Sequence, residues 1–402
     1  MQSRPERPAR PATSSRLRRG RLALVLPLTL LLSACASYAP QDTLRPKGPF
    51  ARAIDNLWDG VFAIAVVVFF FVQLGTLFII IRFRRRHGDD ELPSQTHGNP
   101  RLEIAWTLLP AVILAVVAFF TLRTLFDIKE VDEDDLTIRV VGQQWWWEYQ
   151  YDTNGDGTFG EGDVVTANDL VIPAGVDVHL EVTSNDVIHS FWIPSLNGKM
   201  DAVPGRVHPL MINADEPGTY VGQCTEFCGL SHAYMRQRVI ALPMDEFEAW
   251  LEAQQEDAEM PDPDEDPEAF AGAELFTTQC SGCHLARGIN DEEFEAQGNG
   301  EELLVARNAP DLTHFASRGT FAGATFDLWV DADGDEIVEA DEIGGELNRA
   351  ELEAWLRNPP EQKPMAADHV PEGGDDRVRG MPNFNLQEDQ IDQLVAFLAT
   401  LD

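Results

Sequence analysis

The residues most suited to chemistry form one closely spaced set of soft ligands. Cys224, Cys228, His232 and Met235 are separated by four, four and three positions, and His189 lies upstream of them. Thiolate, imidazole and thioether groups together select copper over hard cations. Two thiolates can bridge two metal ions, and each ion can then take one imidazole. The spacing therefore predicts a dinuclear copper site, with a disulfide or a zinc site as the alternatives.

A second cysteine pair lies in the motif Cys280-Ser-Gly-Cys283-His284. Two thiols at this spacing, followed at once by histidine, are typical of covalent haem c attachment with the histidine as an iron ligand. The second axial ligand must come from later in the chain, where Met365 and Met381 are the two methionines. Zinc binding and a redox Cys-x-x-Cys site fit less well, because further ligands or a βαβ context are lacking.

The N-terminus is typical of an exported chain. Arginines precede an apolar run over residues 22–32, and the run ends in Leu32-Ser-Ala-Cys35. This order predicts a secretory signal peptide, and the small residues before Cys35 resemble the bacterial lipoprotein box, in which the cysteine is acylated. We therefore predict a lipoprotein-type signal peptide over 1–34 and a mature leader over 35–56.

Two longer apolar runs, over residues 61–83 and 105–126, are each long enough to cross a hydrocarbon core of about 30 Å. The short segment between them is rich in arginine. Because basic loops stay in the cytoplasm, both ends of the hairpin should face outward. We predict a transmembrane hairpin over 57–130, in a bacterial cytoplasmic membrane, with the remaining domains on the periplasmic side.

The rest of the sequence changes from a β pattern to a helical one. Short β-rich runs between residues 136 and 242 predict an all-β sandwich or barrel, which we bound at 131–255. Proline and carboxylates over 256–268 predict an extended linker. Helical periodicity then returns over 269–402. The fold class is a multidomain membrane protein with a helical hairpin, an all-β domain and an all-α domain.

The acidic composition argues against nucleic acid as a partner, and it also produces two loops that resemble calcium-binding loops. The formal net charge of −37 argues against binding to nucleic acid, which requires a basic surface. Loops 152–163 and 331–342 place oxygen ligands at the positions of a calcium-binding loop. Acidic turns arise easily in an acidic protein, so we assign no calcium to either loop.

The hairpin and the copper-type spacing closely resemble subunit II of cytochrome c oxidase over residues 55 to 255. The resemblance implies a cupredoxin domain holding the dinuclear CuA centre. It also implies a backbone ligand from Glu226, whose side chain in the family reaches a magnesium ion shared with subunit I. The implied side-chain ligands are His189, Cys224, Cys228, His232 and Met235.

Three shorter segments add to the resemblance. Gln144-Trp-Trp-Trp-Glu-Tyr149 is similar to the aromatic strand whose first tryptophan, here Trp145, receives electrons in the family. Strand alternation should put Trp145 and Trp147 on one face. Glu103 matches a glutamate that opens a proton path into subunit I. The segment around Met381 resembles the methionine loop of class I cytochromes c, which favours Met381 as the second axial ligand, with Met365 as the alternative.

The resemblance implies a subunit of a proton-translocating haem–copper oxidase. Electrons would pass from cytochrome c or a cytochrome bc complex, through the chain's own haem c and CuA, to subunit I, where dioxygen is reduced to water. The linker should keep the haem domain tethered close to the copper domain. The alternatives are the copper subunit of a nitric oxide reductase and a membrane lipoprotein that handles copper.

Overall fold

The computed structural model describes residues 39–84, 97–129, 131, 136–160, 162–296, 309–365 and 380–402. The predicted signal peptide, Cys35 and most of the arginine-rich loop lie outside the described residues.

Two long helices form the N-terminal part, α1 (Pro49–Phe83) and α2 (Pro100–Asp127). Both are long and apolar enough to cross a membrane, and the apolar side chains along them are exposed. The side chain of Asn99 caps α2 by accepting hydrogen bonds from the first backbone N–H groups. The structure therefore contains the two apolar helices of the predicted hairpin.

Helix α1 begins twelve residues before the apolar run that predicted it. Pro49 occupies its first turn, where a missing N–H costs nothing. That turn also packs against the β-domain: Ala51 is buried, and its N–H donates to the carbonyl of Leu196 at 3.0 Å. Tertiary contact thus extends the helix beyond its membrane-spanning part.

The β-domain contains two main sheets whose side chains share one core. The larger has the order β3-β2-β1-β5-β8, and the smaller has the order β4-β10-β9. Along β5 buried residues alternate with partly exposed ones, as expected for a strand with one face in the core. The strands are β1 (Leu136–Gln143), β2 (Trp146–Tyr151), β3 (Val164–Ala167), β4 (Asp169–Pro173), β5 (Val178–Ser184), β6 (His189–Phe191), β7 (Met200–Ala202), β8 (His208–Ile212), β9 (Gly218–Gln223) and β10 (Arg236–Leu242).

The aromatic segment is a tight hairpin rather than one continuous strand. Gln143 pairs with Trp146, so Gln144 and Trp145 form the turn between β1 and β2. Trp145 and Trp147 share the main core, whereas Trp146 packs separately against Ala167. The expected grouping of the tryptophans is found, but the turn, and not strand alternation, places Trp145.

The C-terminal domain is mainly helical, and among its described residues it also contains a two-stranded ribbon that the sequence did not predict. Helices α4 (Pro267–Gln279) and α8 (Glu388–Leu398) pack so closely that a Cβ on Gly272 would lie 2.0 Å from the carbonyl oxygen of Gln393. The elements from residue 244 onward are α3 (Met244–Ala253), which follows β10 and packs on the core of the β-domain, α4 (Pro267–Gln279), α5 (Asp291–Ala296), β11 (Thr320–Phe321), β12 (Phe326–Asp327), α6 (Arg349–Arg357), α7 (Pro359–Gln362) and α8 (Glu388–Leu398).

The β-domain and the C-terminal domain are in direct contact. Asp169, at the start of β4, accepts hydrogen bonds from the N–H of Gly319 at 2.7 Å, and from the N–H and hydroxyl of Thr320 at 2.9 and 2.5 Å. Arg238 on β10 forms an ion pair with Asp327 on β12. The two domains are therefore joined by a specific interface as well as by the predicted linker.

We expect Asp169→Ala to weaken this interface. The substitution leaves three buried donors without an acceptor, and each such donor costs on the order of 1–3 kcal/mol. The free energy of unfolding should fall by about 3 kcal/mol, and protease should cut the linker faster. Thermal unfolding and limited proteolysis measure both effects. Asp262→Ala, which removes an exposed carboxylate within the linker, is the control; equal behaviour of the two variants would contradict the interface.

Candidate metal centre and adjoining cavity

The predicted copper ligands come from one strand and one loop. His189 begins β6, and the loop between β9 and β10 carries the two cysteines, Glu226 and His232. The backbone N–H of Cys224 donates to the carbonyl of Met235 at 2.9 Å, which closes the loop at its base. Two strands of one sheet therefore hold both ends of the loop.

The ligand atoms of all six predicted residues are close together. The sulfurs of Cys224 and Cys228 are 3.9 Å apart, and Nδ1 of His232 is 3.6 Å from the Cys228 sulfur. Nδ1 of His189 lies 3.1 Å from the Met235 sulfur. The carbonyl oxygen of Glu226 lies 3.3 Å from the Cys224 sulfur. Both thiols are free, since a disulfide would need about 2 Å between the sulfurs.

Asp186 and Gly142 orient His189, and the sequence had not singled out either of them. A carboxylate oxygen of Asp186 lies 2.8 Å from Nε2 of His189, which directs Nδ1 toward the cysteines. A Cβ on Gly142 would lie 2.7 Å from the imidazole ring. The only sequence signal for Asp186 is its position three residues before the histidine.

The two thiols differ in their acidity. The hydrogen bond from Cys228, with further hydrogen bonds from His189 and the backbone, lowers the pKa of Cys224 to about 4. The same pairing with Cys224, together with burial, raises the pKa of Cys228. The protein therefore stabilises one thiolate in this pair before any metal contributes charge. Metal ions bind thiolates, so the second proton would be released on binding.

Trp145 and Gln144 contact the loop directly. Nε1 of Trp145 donates to the carbonyl of Cys228 at 3.0 Å, and the amide of Gln144 donates to the same oxygen at 2.6 Å. Trp145 is only 4% exposed. The residue predicted to receive electrons therefore touches the backbone of a predicted copper ligand, and it is buried beneath the C-terminal domain.

A cavity of about 630 Å³ lies on the other side of Trp145. Cys280, Cys283 and His284 line it, and its volume is in the range usual for cofactor sites. Nδ1 of His284 lies 2.8 Å from the carbonyl of Pro310. As a donor there, Nδ1 leaves Nε2 available as a ligand, and burial lowers the pKa of this imidazole. The chemistry and size of the cavity fit a haem attached through the motif.

Both candidate methionines line this cavity. Met381 packs against the core of the C-terminal domain, whereas Met365 packs against the core of the β-domain. A Cβ on Gly380 would lie 2.5 Å from the Met365 sulfur, so the two segments are adjacent. The packing of Met381 with the helices around the cysteine motif favours it as the axial ligand.

Gln143 and Glu148 form a buried pair between the strands of the aromatic hairpin. The amide of Gln143 donates to Glu148 at 3.0 Å, and the amide of Gln150 donates to it at 2.6 Å. Burial raises the pKa of Glu148 to about 8. The two amides hold the carboxyl group in place, which gives Gln143 a structural role.

The remaining predicted sites lie apart from this centre. Glu103 is exposed in the first turn of α2. Asp331, Asp333 and Asp335 lie close enough together to hold a cation, but these carboxylates also accept hydrogen bonds from their own loop. The loop after β2 is similar, with Asp152 bonded to local backbone N–H groups. We assign no ion to either loop.

Comparison with known proteins decides the family. The family model described as cytochrome C oxidase subunit II, periplasmic domain, matches residues 136–242, and the model of the transmembrane domain of that subunit matches residues 44–124. Cytochrome c oxidase subunit 2 of Alkalihalophilus pseudofirmus is 33% identical over 384 residues, which cover 93% of this chain and 94% of the relative. The chain belongs to the cytochrome c oxidase subunit II family.

A second relative agrees with this membership, and a solved structure is also similar to part of the chain. Cytochrome c oxidase subunit 2 of Bacillus subtilis is 32% identical, covering 86% of this chain and 90% of its own length. The crystal structure of the periplasmic domain of subunit II of cytochrome oxidase of Bradyrhizobium japonicum is 32% identical, covering 31% of this chain and 97% of that one, with a TM-score of 0.29. As a subunit II, the chain is a membrane-anchored oxidase subunit with a periplasmic domain, and the family implies a CuA site.

We expect the stability of this subunit II to depend on the ionisation of Glu148. Its pKa is raised from 4.5 to about 8 in the folded chain, so its contribution to stability is complete below pH 4.5 and is lost as pH rises through about 8. Each pH unit between these two pKa values lowers the free energy of unfolding by about 1.4 kcal/mol.

Glu148→Gln should remove most of this decline, which amounts to a few kcal/mol in the free energy of unfolding. Denaturant unfolding at a series of pH values measures it. Glu216→Gln, at an exposed position, should leave the pH dependence unchanged. Parallel curves for Glu148→Gln and the parent chain would show that the buried carboxyl does not titrate in this range.

Proposed function

We propose that this subunit passes electrons from a covalently bound haem c to a dinuclear copper centre and then to subunit I of a haem–copper oxidase. The observation that carries the proposal is the position of Trp145. Its indole donates to the carbonyl of Cys228 and also lines the cavity that contains the cysteine motif. Both predicted redox sites thus meet at one side chain.

For the copper centre, the donor set is the supporting observation. Cys224 and Cys228 would bridge the two ions, and His189 and His232 would each bind one of them. Met235 and the carbonyl of Glu226 would fill the weaker positions. When bound, the copper pair supplies a one-electron carrier on a loop that both sheet strands hold in place. The Glu226 side chain is proposed as a ligand of magnesium at the boundary with subunit I.

For the haem, we propose thioether bonds from Cys280 and Cys283 and axial ligation by His284 and Met381. When bound, the haem supplies a second one-electron carrier. The alignment with the Alkalihalophilus relative covers 93% of this chain, so it necessarily extends into the C-terminal domain. The cytochrome c character of that domain rests on the motif, the cavity and the helices around it.

Trp145 is the proposed route between the two sites. Its indole bridges the loop and the cavity, and its carbonyl accepts a hydrogen bond from Nζ of Lys363 in the C-terminal domain at 2.8 Å. Because Trp145 is buried, a soluble donor would reach the copper most directly through the C-terminal domain. The proposed order is external donor, haem, Trp145, copper, subunit I, with cytochrome c or a cytochrome bc complex as donor.

The oxygen chemistry belongs to subunit I. The relatives are named as oxidase subunits, which favours this function over a nitric oxide reductase or a copper-handling lipoprotein. The proposed location is a bacterial cytoplasmic membrane, reached through the signal peptide and with Cys35 acylated.

Cys228→Ser should abolish binding of the copper pair, because one bridging thiolate is lost. Metal analysis and the copper hyperfine pattern in electron paramagnetic resonance measure this. The matched control is Cys283→Ser, which should keep both coppers and lose one thioether bond to haem. Two coppers per chain in the Cys228 variant would refute the copper assignment, and a normal doubly attached haem in the control would refute the haem assignment.

Trp145→Phe should slow electron transfer from haem to copper several-fold, because an aromatic ring remains but the indole N–H that bonds to the carbonyl of Cys228 is lost. Rapid mixing with reduced donor, followed at the haem and copper absorption bands, separates the two steps. Haem reduction should be unchanged. The control is Trp250→Phe, a β-domain tryptophan that packs on Tyr151 away from the cavity. Copper reduction at the parent rate in the Trp145 variant would exclude this route.

Glu103→Gln should slow steady turnover of the assembled oxidase several-fold if this carboxylate delivers protons to subunit I. The contents of copper and haem should not change, because Glu103 lies in α2, distant in sequence from both sites. Oxygen consumption with excess donor measures the effect. Turnover equal to that of the parent would indicate a merely solvated interfacial carboxylate.

A further inference from the structure

Polar side chains of both domains line part of the cavity beside Trp145. Trp146 comes from β2, Arg318 precedes β11 in sequence, and Lys363 follows α7. All three line the cavity, and they are only 5%, 4% and 3% exposed. Buried polar groups in proteins normally have hydrogen-bonding partners, so the bonding of these three side chains is informative.

Two of these side chains have a donor without an acceptor. Nε1 of Trp146 and Nε of Arg318 are both buried and unpaired. Each of these nitrogens can only donate a hydrogen bond. A bound group must therefore supply an acceptor for each of them. Arg318 uses another nitrogen to donate to the carbonyl of Asp311, which fixes the guanidinium in place.

Among the described residues, no bonded carboxylate neutralises the cations that line this part of the cavity. Nζ of Lys363 donates to the carbonyls of Trp145 and Ala322 at 2.8 and 2.7 Å, and an ammonium group has a third hydrogen to donate. Within the described part of the chain, neither Lys363 nor Arg318 forms an ion pair. The carboxylates of Asp169 and Asp311 are nearby, but they accept hydrogen bonds from Thr320 and Thr313.

Buried cations without counter-ions are costly, so the missing acceptors should be anionic. Burial lowers the pKa of Lys363 to about 7 and that of Arg318 to about 10, in keeping with the absence of a bonded carboxylate. A ligand that occupies this cavity therefore needs at least one carboxylate that these donors can reach. A haem has two carboxylate side chains on the edge opposite its thioether bonds.

We propose that Trp146, Arg318 and Lys363 bind the carboxylate side chains of the haem. This inference rests on the proposed haem attachment and assigns a function to the β-domain in that site. The haem would be covalently attached to the C-terminal domain, while Trp146 of the β-domain holds its opposite edge. The cofactor itself would then contribute to the contact between the domains.

The proposal has a measurable electrostatic consequence. A cation or donor beside the haem carboxylates favours the reduced iron, because reduction removes one positive charge from the haem. Replacing Arg318 with Gln or Trp146 with Phe should therefore lower the midpoint potential of the haem. Both changes should also shift the carboxylate bands in the infrared difference spectrum between the reduced and oxidised protein.

The experiment uses the full chain within the purified oxidase. The variants are Trp146→Phe, Arg318→Gln and Arg318→Lys, with Trp250→Phe as a β-domain control. Covalent haem is first measured by mass spectrometry, then the potential is determined by spectroscopic redox titration. Arg318→Lys keeps the charge, so its potential should lie between those of the parent and Arg318→Gln. If Arg318→Gln does not fold, the Trp146 and Arg318→Lys variants still supply the comparison.

The outcomes separate the two levels of the argument. A lowered potential and shifted carboxylate bands in the cavity variants, with neither change in Trp250→Phe, support the proposal. Unchanged potentials and bands in variants that carry covalent haem overturn it and leave the proposed electron-transfer function standing. A parent chain without covalent haem overturns the proposed haem and this inference together.

Discussion

The carbonyl oxygen of Cys228 accepts hydrogen bonds from both residues of the turn between β1 and β2. This small contact fixes the copper-type loop to the aromatic hairpin, and the hairpin in turn forms a wall of the cavity. Burial makes such hydrogen bonds costly to break, since the freed donors would have no water to replace the acceptor. The relative positions of loop, indole and cavity therefore depend on one turn of two residues.

Much of the architecture follows from local patterns in the sequence. Two hydrophobic runs are long enough to cross a bilayer as helices, and they identify α1 and α2. Short β-rich runs locate most strands of the β-domain. The candidate site residues could also be identified from the sequence. Soft ligands at short, regular spacing rarely occur together by chance, and the motif Cys280-Ser-Gly-Cys283-His284 is specific in itself. The structure brings all six copper-type ligands together and places both cysteines of the second motif on one cavity.

What the sequence did not show depends on contacts between distant residues. Asp169 and Thr320 are 151 positions apart, and nothing in either segment marks an interface. The short strand β7 and the ribbon of β11 and β12 have too few residues to produce a pattern. The turn at Trp145 was missed for another reason. Three consecutive tryptophans have strong β propensity, which conceals a reversal of the chain that only pairing across the hairpin reveals.

The first turn of α1 has a mechanical consequence for the whole subunit. The N–H of Ala51 bonds to the β-domain, and Arg52 forms a two-pronged ion pair with Asp215 at 2.7 and 2.8 Å. The helix has 35 residues and so is about 52 Å long, whereas a bilayer core needs about 30 Å. The surplus continues the helix beyond a membrane-spanning length to its contact with the β-domain. The height of the metal centre above the lipid surface is thereby set by the length of a helix.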